Sequence, residues 1–180
     1  DNNRRILPWR KNTSKEQKLY FTLVSEFMLQ QTQVSTVIPY FKRFVQKIPN
    51  FKKLSKANDQ TLMKLWEGLG YYSRARNLKK SAIMINGKFG GTLPSNIEDL
   101  KSLPGVGDYT STAIMAIAFN QKFIPLDGNV ERILKRVLYL RNEKDISKEN
   151  MQISKNFFGF SERASDYAQA IMELGALVCR

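Results

Sequence analysis

The pentapeptide Leu103-Pro104-Gly105-Val106-Gly107 and the carboxylates Glu26 and Asp127 are the residues of this chain whose types and settings could act on a ligand. LPGVG lies between a short helical segment and a longer apolar one, where its glycines and proline permit a tight hairpin. The amides that open the following helix then point outward with the positive end of its dipole, an arrangement that holds a backbone phosphate without reading its base. The same residues also make an ordinary Pro-Gly turn. Asp127 precedes a run of helical period and can cap it, which keeps a carboxylate ionised through the dipole and the amide donors; most such aspartates do nothing else. Glu26 sits among Leu23, Val24 and Phe27, at the edge of an apolar stripe, where desolvation favours the protonated acid. A solvated helical glutamate is the commoner case.

The elements that must position these residues read as helices. Apolar stripes run over about Glu16 to Gln31, Val34 to Ile48, Asp59 to Gly68 and Ser73 to Lys88. Pro39 marks either a first turn or a kink. Asn58 can cap the third of these segments. Ser95 and Glu98 have the form of a capping box for a short helix ending before Pro104. DYTSTAIMAIAFN, after Gly107, is apolar on nearly every face, as expected of a helix central to a bundle. Further helices are expected over Gly128 to Leu140, with Val130, Ile133, Leu134, Val137 and Leu138 inward, and over Lys148 to Phe158 and Ala164 to Val178. No segment alternates with period two for long, so the fold class is all-α.

Charge bounds the partners. The chain of 180 residues carries 29 Lys and Arg against 16 Asp and Glu, a net +13, with no His. The excess is concentrated in residues 1–60, with 12 basic and 4 acidic groups, and it points to an anionic partner. Lacking His, the chain offers little for zinc or imidazole chemistry. The single cysteine, Cys179, excludes an internal disulfide framework and fits a reducing compartment. The longest apolar stretch, Ala113 to Phe119, is far short of the ~20 residues of a membrane span, and DNNRR does not read as a signal peptide. A basic, soluble, non-membrane protein is expected. With no heptad pattern, a monomer is expected too.

LPGVG on so basic a chain resembles the helix-hairpin-helix DNA glycosylases. LPWR at 7–10, SEFMLQQTQVSTVIPYF at 25–41, LWEGLGYYSRARNL at 65–78, LPGVGDYT at 103–110, LDGNVERIL at 126–134 and ELGALVC at 173–179 are similar, collinearly, to the MutY-type adenine glycosylases within that superfamily. The resemblance implies two helical subdomains with the active-site cleft between them. It puts residues 1–29 with the C-terminal helices, a six-helix barrel at 30–136 with its helix-hairpin-helix near 96–120, and C-terminal helices over 137–180. It implies an intracellular enzyme located with the DNA, in the bacterial cytoplasm or in a nucleus or mitochondrion. Its partner would be double-stranded DNA bearing a mispaired adenine, opposite 8-oxoguanine or guanine.

The same resemblance assigns roles. Glu26 matches the general acid that protonates the departing adenine, and Asp127 the carboxylate that stabilises the cationic sugar. Asn129 matches a residue positioning the sugar or the attacking water. Tyr109 stands where related glycosylase-lyases such as endonuclease III carry a Schiff-base lysine, so base removal without efficient strand cleavage is implied. DNA contacts are expected from Gln30, Gln31, Thr32, Tyr71, Arg74 and Arg76, and from Leu103, Gly105, Val106, Gly107 and Thr110 at the hairpin. Gln31 fills the gap in the stack and Tyr71 wedges beside the partner base. Trp9, Arg10, Leu29 and Glu173 resemble the adenine pocket. Lys42, Arg43, Lys47, Lys52, Lys53, Lys79 and Lys80 could extend the phosphate-facing surface. Cys179 matches the first of four cysteines holding a four-iron four-sulfur cluster, expected in the intact protein and not formable by this chain alone. A monovalent cation at the hairpin carbonyls is a further expectation. Two other readings stay open: a thymine mismatch glycosylase of the same superfamily, and a non-catalytic helix-hairpin-helix DNA-binding fragment.

Overall fold

In the computed structural model residues 5–11, 13–138 and 162–179 are described, and every regular element among them is helical. After a 3-10 turn at Pro8–Arg10 come α1 (Lys15–Leu29), α2 (Val34–Lys47), α3 (Phe51–Ser55), α4 (Asp59–Trp66), α5 (Ser73–Lys88), α6 (Ile97–Lys101), α7 (Asp108–Ile117), α8 (Gly128–Leu138) and α9 (Ala164–Leu177). The all-α reading holds for these residues. The helix expected at Lys148 to Phe158 lies outside them, as does the end of the one expected to reach Leu140.

Caps explain most of the starts. The side chain of Ser14 accepts from Gln17 N, Asn50 from Lys53 N and Asn58 from Gln60 N, each satisfying an amide left over in a first turn. The cap of α6 is Asn96 rather than Ser95. Asn96 Oδ1 accepts from Asp99 N at 2.8 Å while its Nδ2 donates to Asp99 Oδ2 at 2.7 Å, so an Asn–Asp pair does the work assigned to a Ser–Glu box. Pro39 falls inside α2 and not at its start. The helix α3 was not expected; five residues are too few to display a period, although Asn50 after Pro49 is a cap signal.

By packing, the chain divides at the Gly107–Asp108 junction into two compact units. In the first, α1 packs on α2, α5 and the 3-10 turn, and α3 packs on α5. Its core holds Leu19, Leu23, Val24, Phe27 and Met28 of α1 with Phe41, Phe44, Leu62, Trp66 and Leu78. Edge-to-face rings join these layers: Phe21 and Phe41 at 5.2 Å, Tyr20 and Phe51 at 5.1 Å, and Phe44 and Trp66 at 6.0 Å between centroids. Tyr20 is wholly interior and donates its hydroxyl to Ile48 O, so the polar end of a large ring is satisfied where water is absent.

In the second unit α9 packs on both α7 and α8. Ile124, Val130, Ile133, Leu134, Ala164 and Ile171 form its apolar cluster. Val137, expected to face inward, is 65% exposed, while Val130, Ile133 and Leu134 are buried as expected. Gly175 lets α9 approach closely, because a Cβ there would stand 2.7 Å from Asn129 Cβ and 2.8 Å from Asn129 O.

Candidate active site and nucleic-acid interface

Glu26 lies in the last turn of α1 and is 4% exposed. It is more deeply buried than an edge position would be. Burial at this level penalises the ionised carboxylate and favours the neutral acid.

The hairpin after α6 is fastened from within its own unit. Leu103 and Val106 are buried, whereas Gly105 and Gly107 are exposed, so apolar side chains anchor the turn and the glycine backbone forms its outer edge. Val106 N donates to Leu103 O, Ser81 Oγ donates to Pro104 O at 2.8 Å, and Gln30 Nε2 donates to Gly105 O at 3.3 Å. Gly105 has φ +83°, and a Cβ on it would lie 2.9 Å from Phe27 Cε1 and 3.0 Å from Asn77 Cβ. Glycine is required there on both counts. Two sequence expectations change accordingly. The Leu103 and Val106 side chains cannot meet DNA from the core, and Thr110, in the first turn of α7, is also buried at 4% exposure. What these positions can offer a phosphate is backbone.

Gln31 and Tyr71 have backbones of a kind that non-glycine residues rarely adopt, with φ of +54° and +46°. A left-handed conformation costs roughly 1–2 kcal/mol per residue. Gln31 is exposed, and Tyr71 is 62% exposed, an unusual position for a large ring. Both project from short connections, α1 to α2 and α4 to α5.

Arg74, expected on the DNA surface, is instead 6% exposed. Its Nη1 faces Phe27 O at 3.2 Å, Met28 O at 2.9 Å and Thr32 Oγ1 at 3.1 Å, and donates to Gln30 O as well. Its Nη2 donates to Leu69 O at 3.0 Å and Gly70 O at 3.2 Å. The guanidinium is committed to protein oxygens and is not a phosphate contact. Arg76, one face round on α5, is exposed. Of the expected basic surface, Lys79 is engaged by Asp59 at 2.5 Å, and Arg43 lies 4.5 Å over the Tyr40 ring.

In the second unit Asp127 caps α8. Its Oδ1 accepts from Val130 N at 2.8 Å and from Asn129 N at 3.0 Å, and its Oδ2 accepts from Asn129 Nδ2 at 3.2 Å. Asn129 is oriented in turn by Arg132, whose Nη2 donates to Asn129 Oδ1 at 3.0 Å and to Gly175 O at 2.7 Å, while its Nε donates to Cys179 O at 2.8 Å. Sequence reasoning passed over Arg132, although it lies in the LDGNVERIL segment one helical turn after Asn129. Tyr109 and Glu173 are half-buried in this unit. In the first unit Trp9 is buried edge-on against Phe41 at 5.3 Å, while Arg10 and Leu29 are half-buried.

A four-cysteine cluster does not fit the residues present. Cys179 is the single cysteine of the chain, its Sγ accepts from Arg136 Nη1 at 3.0 Å, and among the described residues no group of three or more His, Cys, Asp or Glu converges on a metal position. Among those residues no helix is long and apolar enough to cross a membrane.

Residues 24–157 match the family model described as the HhH-GPD superfamily base excision DNA repair protein. Curated relatives include an adenine DNA glycosylase of Rattus norvegicus, 43% identical over 99% of this chain and 36% of its own length. Another is an adenine DNA glycosylase of Buchnera aphidicola subsp. Acyrthosiphon pisum, 39% identical over 99% of this chain and 50% of its own length. The chain therefore spans about a third to a half of the length of such relatives. A solved thermostable thymine-DNA glycosylase superposes with TM-score 0.80 at 25% identity, covering 98% of this chain and 80% of that one.

Proposed function

The chain belongs to the HhH-GPD superfamily of base excision DNA repair proteins, and we propose that it carries the glycosylase machinery of an adenine DNA glycosylase. That enzyme would hydrolyse the N-glycosidic bond of adenine mispaired with 8-oxoguanine or guanine in double-stranded DNA. The observation that carries the reading is the burial of a carboxylic side chain, Glu26, within the segment matching adenine DNA glycosylases, a setting that favours the protonated form from which a proton can be donated.

The steps follow from what each group can do. Glu26 gives its proton to the adenine ring as the bond from the sugar C1′ to the base nitrogen breaks, so the base leaves neutral. The electron pair goes with the base, and the sugar is left with oxocarbenium character. Asp127, fixed by two backbone amides and Asn129, supplies negative charge for that cation. Water then attacks C1′, and its proton returns to the Glu26 carboxylate, which resets the acid. Tyr109 supplies no amine, so no imine forms and the strand is left intact. Gln31 and Tyr71 press into the stack on the partner strand and offset part of the few kcal/mol that flipping a base requires. Arg10, Leu29 and Glu173 serve the adenine pocket, Arg76 and the hairpin amides bind phosphates, and the protein acts as a monomer. No step passes through an iron-sulfur cluster.

Thymine release is the second reading, favoured by the likeness to the thymine-DNA glycosylase structure. It leaves the buried acid with less to do. Single-turnover incubation with adenine opposite 8-oxoguanine, beside thymine opposite guanine, each with and without alkali, separates the two. Breakage at adenine after alkali alone supports adenine release. Breakage at thymine moves the chain to the sister activity, and binding without product leaves a DNA-binding module.

A further inference from the structure

The strained residues Gln31 and Tyr71 lie in different loops, yet one side chain touches the backbone beside each. Arg74 Nη1 holds the oxygens that flank Gln31, namely Gln30 O and Thr32 Oγ1, and Nη2 holds Gly70 O, immediately before Tyr71. The loops are held at other points too: Trp66 Nε1 donates to Gly70 O at 3.2 Å, and Thr32 Oγ1 donates to Gln30 O at 3.3 Å. The Arg74 guanidinium lies 5.5 Å from the Tyr71 ring centroid and 5.7 Å from that of Trp66. A planar fork with separate nitrogens can serve both loops at once, whereas a lysine ammonium is a single point of charge.

We propose that Arg74 is a positioning residue that couples the α1–α2 and α4–α5 loops, presetting Gln31 and Tyr71 as one paired wedge before DNA arrives. The proposal rests on the reading of these residues as elements that open the base stack. Its physical content is that the left-handed backbone of both residues is enforced during folding, so strand insertion requires no loop ordering at the moment of contact.

The test is Arg74→Lys in the intact protein, read against two duplexes. In one, adenine lies opposite 8-oxoguanine; in the other it lies opposite an abasic site, where the partner stack is already broken and flipping is cheap. Single-turnover release should slow about tenfold or more on the first and less than about threefold on the second. A merely structural role would slow both alike, and that result overturns the proposal. In a Gln31→Ala, Tyr71→Ala background the further loss from Arg74→Lys should vanish; full additivity also overturns it. If Arg74→Lys loses its cooperative melting transition, Thr32→Val, which removes one oxygen from the bracket and leaves the guanidinium in place, must show the same contrast between duplexes on a smaller scale. Emission from 2-aminopurine at the flipped position reports unstacking without bond cleavage and should drop in the variant at saturating protein. Should the wild type release no base from either duplex, the glycosylase reading fails, while this emission still decides the wedge.

Discussion

Replacing Asp127 by asparagine separates a helix cap from a catalytic carboxylate, because the two roles respond on different scales. Asparagine keeps an oxygen for the amides of Asn129 and Val130, which lie 3.0 and 2.8 Å from Oδ1. It loses the charge–dipole attraction of about 0.3–1 kcal/mol. It also places an amide group where Oδ2 accepts from Asn129 Nδ2 at 3.2 Å, so a hydrogen bond worth ~1 kcal/mol is lost. The sum, roughly 1–2 kcal/mol, lowers the melting temperature by about 2–8 °C in a chain of this size. Loss of a fixed charge facing the developing cation should slow adenine release about 100- to 1000-fold. Thermal melting followed by circular dichroism and single-turnover release from an adenine:8-oxoguanine duplex, on one preparation, give both numbers. A variant that melts within the expected range yet releases adenine within about threefold of wild type would reduce Asp127 to a cap and refute the reasoning.

Glu26→Gln preserves volume in the core and removes the transferable proton; release should fall by about 10²–10⁴ with the fold intact, and near-normal release from the folded variant would contradict the general-acid role. Gly175→Ala forces a methyl into the 2.7 Å approach to Asn129 and should cost about 1–3 kcal/mol, measurable as a lower urea midpoint. An unchanged midpoint would mean that α8 and α9 part without penalty. Arg76→Ala should weaken binding to matched and mismatched duplexes alike and reduce the salt slope by about one, measured by fluorescence anisotropy. A loss confined to mismatched DNA would assign it a different part.

Local chemistry was legible in the sequence where a residue acts on its immediate neighbours. Asp127 and Asn58 cap as their positions imply. At α6, adjacent Ser95 and Asn96 are both competent, and the choice between them depends on loop geometry that no pattern records. Glu26 reads as the margin of a stripe, but every residue of α1 from Leu19 to Met28 is buried, so there is no exposed face there for a margin to adjoin. Arg74 is the clearest limit. Its residue type and its place in a basic run argue for solvent and phosphate, while its oxygen partners come from residues 27–32 and 69–70, brought together only by the packing of α1 against α5. Val137 differs in kind: helical phase predicts an inward side chain, whereas it is 65% exposed.

The hairpin Leu103–Gly107 has a consequence for portability. Its carbonyls are held by Ser81 and Gln30, its glycine is moulded to Phe27 and Asn77, and its side-chain anchors are embedded among residues far away in the chain. Such a motif is on loan from its surroundings. Grafted onto an unrelated helical scaffold with only its own five residues, it would keep the letters LPGVG and lose the shape, because the template that sets its curvature stays behind in α1 and α5. A transplant that retained phosphate binding would have to bring the equivalents of Gln30, Phe27, Asn77 and Ser81 with it.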